Sequence, residues 1–162
     1  MFRDMRRKNQ QLSKEETLRI LTSCTSGVLG LHGDDGYPYT VPVSYALEGD
    51  KIFIHSAIEG HKIDCISRCD KVSFCVIEKD DVVQKTFTTH YRSAVIFGRA
   101  RILKDEAEKR HALECLVEKY SPEYIKEGQQ AMVRAWDRVC LIEIRIERMT
   151  GKAAKEIVTN DN

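Results

Sequence analysis

No apolar run in this chain approaches the roughly 20 residues that a membrane-spanning helix needs, so a helical membrane span is excluded. Charge of one sign is equally scarce. Lys+Arg and Asp+Glu nearly cancel to a net charge of +1, which leaves no strong electrostatic drive toward nucleic acid. The cluster Arg6-Arg7-Lys8 accordingly reads as a solvated arm. None of the six cysteines, at 24, 65, 69, 75, 115 and 140, sits in a C-x-x-C pair. His61, Cys65 and Cys69 do share a helical stripe, but its outer members lie about 12 Å apart, too far for one zinc held by bonds of about 2.0–2.3 Å. The cysteines therefore read as small hydrophobes in a reducing compartment, and no metal is expected.

Other absences narrow the chemistry. There is no G-x-x-x-x-G-K-[ST] loop, no G-x-G-x-x-G run, and no recognisable triad or acid/base pair. The opening residues MFRDMRRKNQQ lack the apolar centre of a signal peptide, which predicts a cytoplasmic protein. Without a low-complexity linker or internal repeat, the 162 residues are expected to form one domain over 1–162, with about 1–12 as an N-terminal arm and about 153–162 as a C-terminal tail. Hydrophobic residues at 42% suffice for its own core.

Against these absences, the chain carries clear periodicities. Ser13-Lys14-Glu15-Glu16 is a capping box that opens a helix through Leu18, Ile20, Leu21 and Cys24, with Gly27 after its end. The period then changes to two. Residues 28–31 read as a strand, 32–38 as a turn, and 39–47 as a strand with Val41, Val43, Tyr45 and Leu47 on one face. Glu48-Gly49-Asp50 turns the chain into a strand from Lys51, and Val72, Phe74 and Val76 mark another. A long strand-like run covers 87–103, helices are predicted over 105–120 and 123–135, and a last strand covers 139–149. Hairpin-spaced strands with few helices predict a mainly β, antiparallel barrel with peripheral helices.

The stretch KIFIHSAIEGHK, residues 51–62, is the most informative. A strand ends in small residues at Ser56-Ala57, Gly60 permits close backbone approach, and a helix begins at His61. A helix start presents unpaired N–H groups and a positive dipole end, so Ser56, His61 and Lys62 there compose a compact phosphate receptor. Solvated surface charge is the competing account of the same residues.

Taken in order, GVLGL, YPYTVPVSYALEGDKIFIHSAIEGHKID, KVSFCVIE, FTTHYRSAVIFGRARIL and the closing MTGK resemble the pyridoxamine 5′-phosphate oxidase-like, FMN-binding split-barrel family. Within it the chain is most similar to the nitroimidazole-resistance proteins, through the MRR run, HSA-x-x-GHK, YRS and the terminal TGK, over nearly the whole length from Met5 to Lys152. The resemblance implies a six-stranded split β-barrel of α+β type, a homodimer, and FMN in a cleft at the subunit interface. It places Val41, Pro42, Val43, Ser44 and Tyr45 toward the isoalloxazine, His55, Ser56 and Ala57 along ring and ribityl chain, and Gly60, His61 and Lys62 at the phosphate. It also places Tyr91, Arg92 and Ser93 near the phosphate and ribityl side, with Met149, Thr150, Gly151, Lys152 and Trp136 approaching from the barrel end or the partner. Lys152 or Arg92 is a candidate for stabilising the anionic reduced ring, and His55 and His61 are weak candidates for proton donation.

The arginine-rich substrate pattern of true pyridoxamine phosphate oxidases is not evident, which turns the expectation from vitamin B6 toward reduction of small electron-poor substrates such as nitroimidazoles and nitroaromatics. The electrons are expected from a reduced nicotinamide or another donor. The alternative is a non-catalytic flavin- or haem-binding barrel used for sequestration or redox sensing, for which His32 and His90 are poor axial ligands.

Overall fold

The computed structural model describes residues 2–158. Its centre is an antiparallel sheet of β1 (Ser26–His32), β2 (Pro38–Ser44), β3 (Ala46–Glu48), β4 (Lys51–Ala57), β5 (Lys71–Val83), β6 (Thr88–Ile102) and β7 (Val139–Ala153), in the spatial order β2-β1-β5-β6-β7-β4-β3. The two outermost strands of that order, β2 and β3, are consecutive in the chain and separated only by Tyr45. They are one strand, bent: its first half pairs with β1, its second with β4. Counted so, the sheet has six strands in a split-barrel arrangement that does not close, open between β2 and β4 beside the bend.

A bend that leaves one ladder for another strands a peptide unit, and the chain satisfies it from a distance. The Tyr45 N–H donates to the Tyr120 hydroxyl at 2.8 Å, and that hydroxyl lies 2.8 Å from the Tyr45 carbonyl and close to the Thr25 carbonyl. The Tyr45 ring turns inward, fully buried and edge-on to Phe74, and its own hydroxyl donates to the Leu21 carbonyl at 2.7 Å. Burial holds the Tyr45 phenol well above its ordinary range.

Inside the barrel, Leu29, Leu31, Ile52, Ile54, Val72, Phe74, Val76, Ile96, Ile142 and Ile144 pack as one cluster. The α1 helix (Lys14–Ser23) covers one end with Ile20 and Leu21, its start held by the Ser13–Glu16 capping box that the sequence announces. The α2 helix (His61–Arg68) inserts Cys65 and Ile66. On the outer side of β3, β4 and β7, a second cluster of Phe53, Leu103 and Leu141 is covered by α3 (Glu106–Tyr120) and α4 (Ile125–Ala135), through Ala112, Leu113, Leu116 and Met132.

Three local expectations change, while Gly27 does follow the end of α1 and lies within β1. The last strand continues past Met149 to Ala153, since Met149 to Ala153 pair with Ile96 to Arg92. Residues 10–12 are docked: Gln10 and Leu12 are buried, and the Leu12 N–H donates to the Gly151 carbonyl at 3.0 Å. From 153 onward, Ala153 and Ala154 are buried and a short helix α5 (Lys155–Val158) packs Ile157 and Val158 on the core. The remainder of the expected tail, 159–162, and Met1 lie outside the described residues.

Candidate functional site

The turn between β4 and α2 has the geometry that its sequence implies. Gly60 adopts φ 128°, a conformation that L side chains rarely take, and a Cβ there would meet nothing within 4 Å. The Gly60 carbonyl accepts from Ile63 and Asp64 at 2.8 and 3.1 Å. The His61 and Lys62 amides, first in the helix, have no intrahelical acceptor by the geometry of a helix start. Ser56 pairs in register with Cys140 across β4 and β7. Burial pushes the Cys140 thiol up, while the Lys109 and Lys62 ammoniums pull it down.

His61 is already engaged. Its ring stacks on Tyr39 with centroids 4.1 Å apart, and its Nε2 lies 3.3 Å from an Asp34 carboxylate oxygen. The other Asp34 oxygen takes an Arg68 bond of 2.6 Å, and that bond is the main reason the Asp34 carboxyl sits below its ordinary value. Lys62 has no ion pair among the described residues, so of the two side chains it is the one available to an anion.

The split in the barrel opens beside this corner. Along β2, Val41 and Val43 turn to the core while Pro42 and Ser44 face outward. Along β4, Ile52 and Ile54 point in, and His55 and Ala57 point out and are exposed. Ala46 pairs with Phe53, whereas Ser44 pairs with Ser26 of β1, so the strand changes partner between them. Tyr45 is a correction: its ring, hydroxyl, N–H and carbonyl are all consumed by the core and by Tyr120, and nothing of it faces the split. Val41 and Val43 likewise present little beyond their backbone to the outer side.

The remaining predicted residues form a second group. Tyr91, Arg92 and Ser93 on β6 lie beside Lys152 and Ala153 on β7. The Lys152 ammonium sits 5.3 Å from the Tyr91 ring centroid, and the Tyr91 hydroxyl is 3.5 Å from the Gln10 side-chain oxygen. Arg92 is ion-paired to Glu78 at 2.8 Å. Gly151 is small for a packing reason, since a Cβ there would collide with the Thr17 hydroxyl and reach Leu12 at 3.0 Å. On an extended strand, the interval from Cys140 to Lys152 corresponds to roughly 40 Å, so the two groups are far apart within one chain. Trp136 is therefore misplaced in the expectation that grouped it with Met149 to Lys152. It precedes β7 at the Ala57–Val139 end, packed on the second cluster with the Lys109 ammonium 4.5 Å from its ring centroid.

Lys109 is the residue that the sequence does not announce. It stands in the first turn and a half of α3, a generic surface position, and only the packing of that helix on β4 and β7 carries it to Cys140 and Trp136. Two surface cavities lie away from the α2 corner: one of about 460 Å³ is lined by Gly30, Thr40, Ser73 and Phe97, and one of about 590 Å³ by Leu12, Thr17, Met149 and Gly151.

The model of the family described as pyridoxamine 5′-phosphate oxidase matches residues 13–153. Among solved structures, the chain is similar to a candidate 5-nitroimidazole antibiotic resistance protein from Bacteroides thetaiotaomicron, at 24% identity and TM-score 0.70, covering 88% of this chain and 85% of that one. It is also similar to a FAD-binding protein from Mesorhizobium loti, at 26% identity and TM-score 0.66, covering 90% and 97%. A FAD- and haem-binding protein from Mycobacterium smegmatis superposes at TM-score 0.77 with 20% identity, covering 96% and 81%. No curated protein matches the chain by sequence.

Proposed function

Because this chain belongs to the pyridoxamine 5′-phosphate oxidase family, we propose that it is an FMN-binding flavoprotein that reduces small electron-poor molecules such as nitroaromatics. The observation that carries the reading is the corner at the start of α2, where Gly60 turns the chain from β4 into the helix and the His61 and Lys62 N–H groups are left without intrahelical acceptors beside the Lys62 side chain. That donor set is compact, which suits one terminal phosphate. The similarity to a FAD-binding protein supports a flavin as the class of cofactor.

Each residue has a distinct task in this reading. Lys62, with Lys109 behind it, neutralises the phosphate, and the amides of His61 and Lys62 fix it. His61, braced by Asp34 and Tyr39, supplies shape and a fraction of the positive field. Pro42, Ser44, His55 and Ala57 form the outer walls against which a ring system lies. When bound, a flavin supplies two-electron transfer, so the chain itself needs no nucleophile. His55, exposed on the outer face of β4, is the residue placed to pass a proton to a reduced substrate.

The second residue group enters through a partner subunit. The outer face of the sheet that α3 and α4 leave uncovered carries a register row, Pro42, Val28, Cys75, Val95 and Thr150, running without interruption across β2, β1, β5, β6 and β7. Val28 is 39% exposed there, with Ile77 and Phe97 on neighbouring rows. A flat, half-apolar face of this kind suits a two-fold partner, and a two-fold across it brings Tyr91, Ser93 and Lys152 of one chain toward the α2 corner of the other.

The test is anaerobic. The purified protein is reconstituted with FMN, reduced by a nicotinamide or chemically, and mixed with a 5-nitroimidazole while flavin reoxidation and loss of nitro absorbance are followed together. Reoxidation much faster than with free FMN is expected. Rates no faster than free FMN across nitro compounds and quinones would leave a binding protein without turnover, and a haem Soret band in place of flavin bands would replace the cofactor.

A further inference from the structure

Outside the flavin corner, one cluster of metal-ligating side chains stands on the opposite flank of α3. Glu48 closes β3, and His111 and Cys115 lie one turn apart on α3. The His111 Nε2 is 2.6 Å from a Glu48 carboxylate oxygen and 3.8 Å from the Cys115 sulfur. All three ligand atoms fall within 4.8 Å of one another. We propose that Glu48, His111 and Cys115 form a binding site for a borderline-soft divalent cation, zinc or cobalt, with water as the fourth ligand.

The geometry needs little adjustment. Zinc bonds of about 2.0–2.3 Å in a tetrahedron set ligand atoms roughly 3.3–3.6 Å apart. The sulfur–nitrogen pair is within a few tenths of an ångström of that spacing. The carboxylate must withdraw by less than 1 Å, which a half-exposed glutamate at a strand end does by a rotamer change. A His and a Cys at i and i+4 share one helix face, so the helix itself preorganises two of the three ligands. The Phe53 ring meets the His111 imidazole edge-on with centroids 5.9 Å apart and fixes its plane.

Ligand type selects the metal. One thiolate, one imidazole and one carboxylate favour zinc or cobalt over calcium or magnesium, which require an all-oxygen shell. A cavity of about 330 Å³, lined by Glu48, Leu47, Cys115, Glu118 and Lys119, adjoins two of the three ligands, Glu48 and Cys115, and has room for the water. The Lys119 ammonium does not contest the cation, because it is drawn over the Tyr45 ring at 4.0 Å. Binding carries one cost. Burial, followed by the Glu48 and Glu118 carboxylates, pushes the Cys115 thiol up to about 11, so the incoming cation must displace that proton to solvent as the sulfur–metal bond forms.

The experiment uses the full chain, treated with a chelator and titrated with Co²⁺ under reducing conditions. One equivalent of cobalt is expected to produce a thiolate-to-cobalt charge-transfer band in the near ultraviolet and tetrahedral d–d bands in the visible. Excess Zn²⁺ should abolish both. Cys115→Ser should remove the charge-transfer band, and His111→Ala should weaken binding at least roughly tenfold. Cys69→Ser, which alters a cysteine distant from the cluster, should leave the titration unchanged. Absence of any cobalt spectrum in the folded wild-type chain, or a band that survives in Cys115→Ser, overturns the proposal.

Discussion

Lys62 and His61 stand next to each other in the chain yet carry different burdens, and the difference is electrostatic. Asp34 claims His61, while Lys62 has no carboxylate partner among the described residues. Lys62→Ala should therefore weaken FMN binding far more than riboflavin binding, whereas His61→Ala should cost less. Isothermal titration of both ligands against both variants checks this, and equal losses for FMN and riboflavin in Lys62→Ala would remove the phosphate role. Asp34→Asn should tighten FMN selectively, because it removes the anion that engages Arg68 and the His61 ring.

A second residue-scale expectation concerns Glu143, which sits at 5% exposure on the outer side of β7. Burial raises its carboxyl, but Arg101 at 2.8 Å and Lys51 at 3.3 Å outweigh burial and hold it below its ordinary 4.5. A carboxyl depressed by folding adds stability above its unfolded value and loses it as pH falls through the folded one. The wild-type chain should thus lose part of its stability below about pH 4.5. Glu143→Gln should flatten that acid limb and cost about 1–3 kcal/mol at neutral pH, less than a fully buried pair because Arg101 and Lys51 are half-exposed. Urea midpoints measured from pH 3 to pH 8 give both values.

The elements were largely legible because their signals are local. The Ser13–Glu16 box, the period change after it and the Gly60 break each act within a few residues, and each is where the sequence puts it. The bend at Tyr45 is different. Alternation runs unbroken from Val41 through Leu47, so nothing nearby marks the point where the strand leaves β1 for β4. The group that makes the bend affordable, the Tyr120 hydroxyl, arrives from the end of α3. Tyr120→Phe should leave the Tyr45 peptide unsatisfied and destabilise the fold by about 1–3 kcal/mol, read as a lowered urea midpoint with unchanged slope. The same limit hid the Glu48, His111 and Cys115 cluster, two of whose members share a helix while the third comes from a strand.

At the scale of the whole molecule, the motifs that resemble one family fall into two groups that a single chain keeps apart. HSA-x-x-GHK builds the α2 corner, and YRS with TGK builds the far end of β6 and β7. The sequence left open whether the second group approaches from the barrel end or from a partner subunit, and strand register sets the two groups at opposite ends of β7. The proposed dimer, with two chains joined across the uncovered sheet face, would bring them together. Among the described residues no helix is long and apolar enough to cross a membrane.

Sedimentation velocity of the FMN-reconstituted protein, detected at the visible flavin absorbance, tests this account most directly. The flavin should travel with a species of twice the 18.6 kDa chain mass, at one FMN per chain. Flavin absorbance that remains with the free ligand, or that sediments stoichiometrically with a monomer, would contradict it.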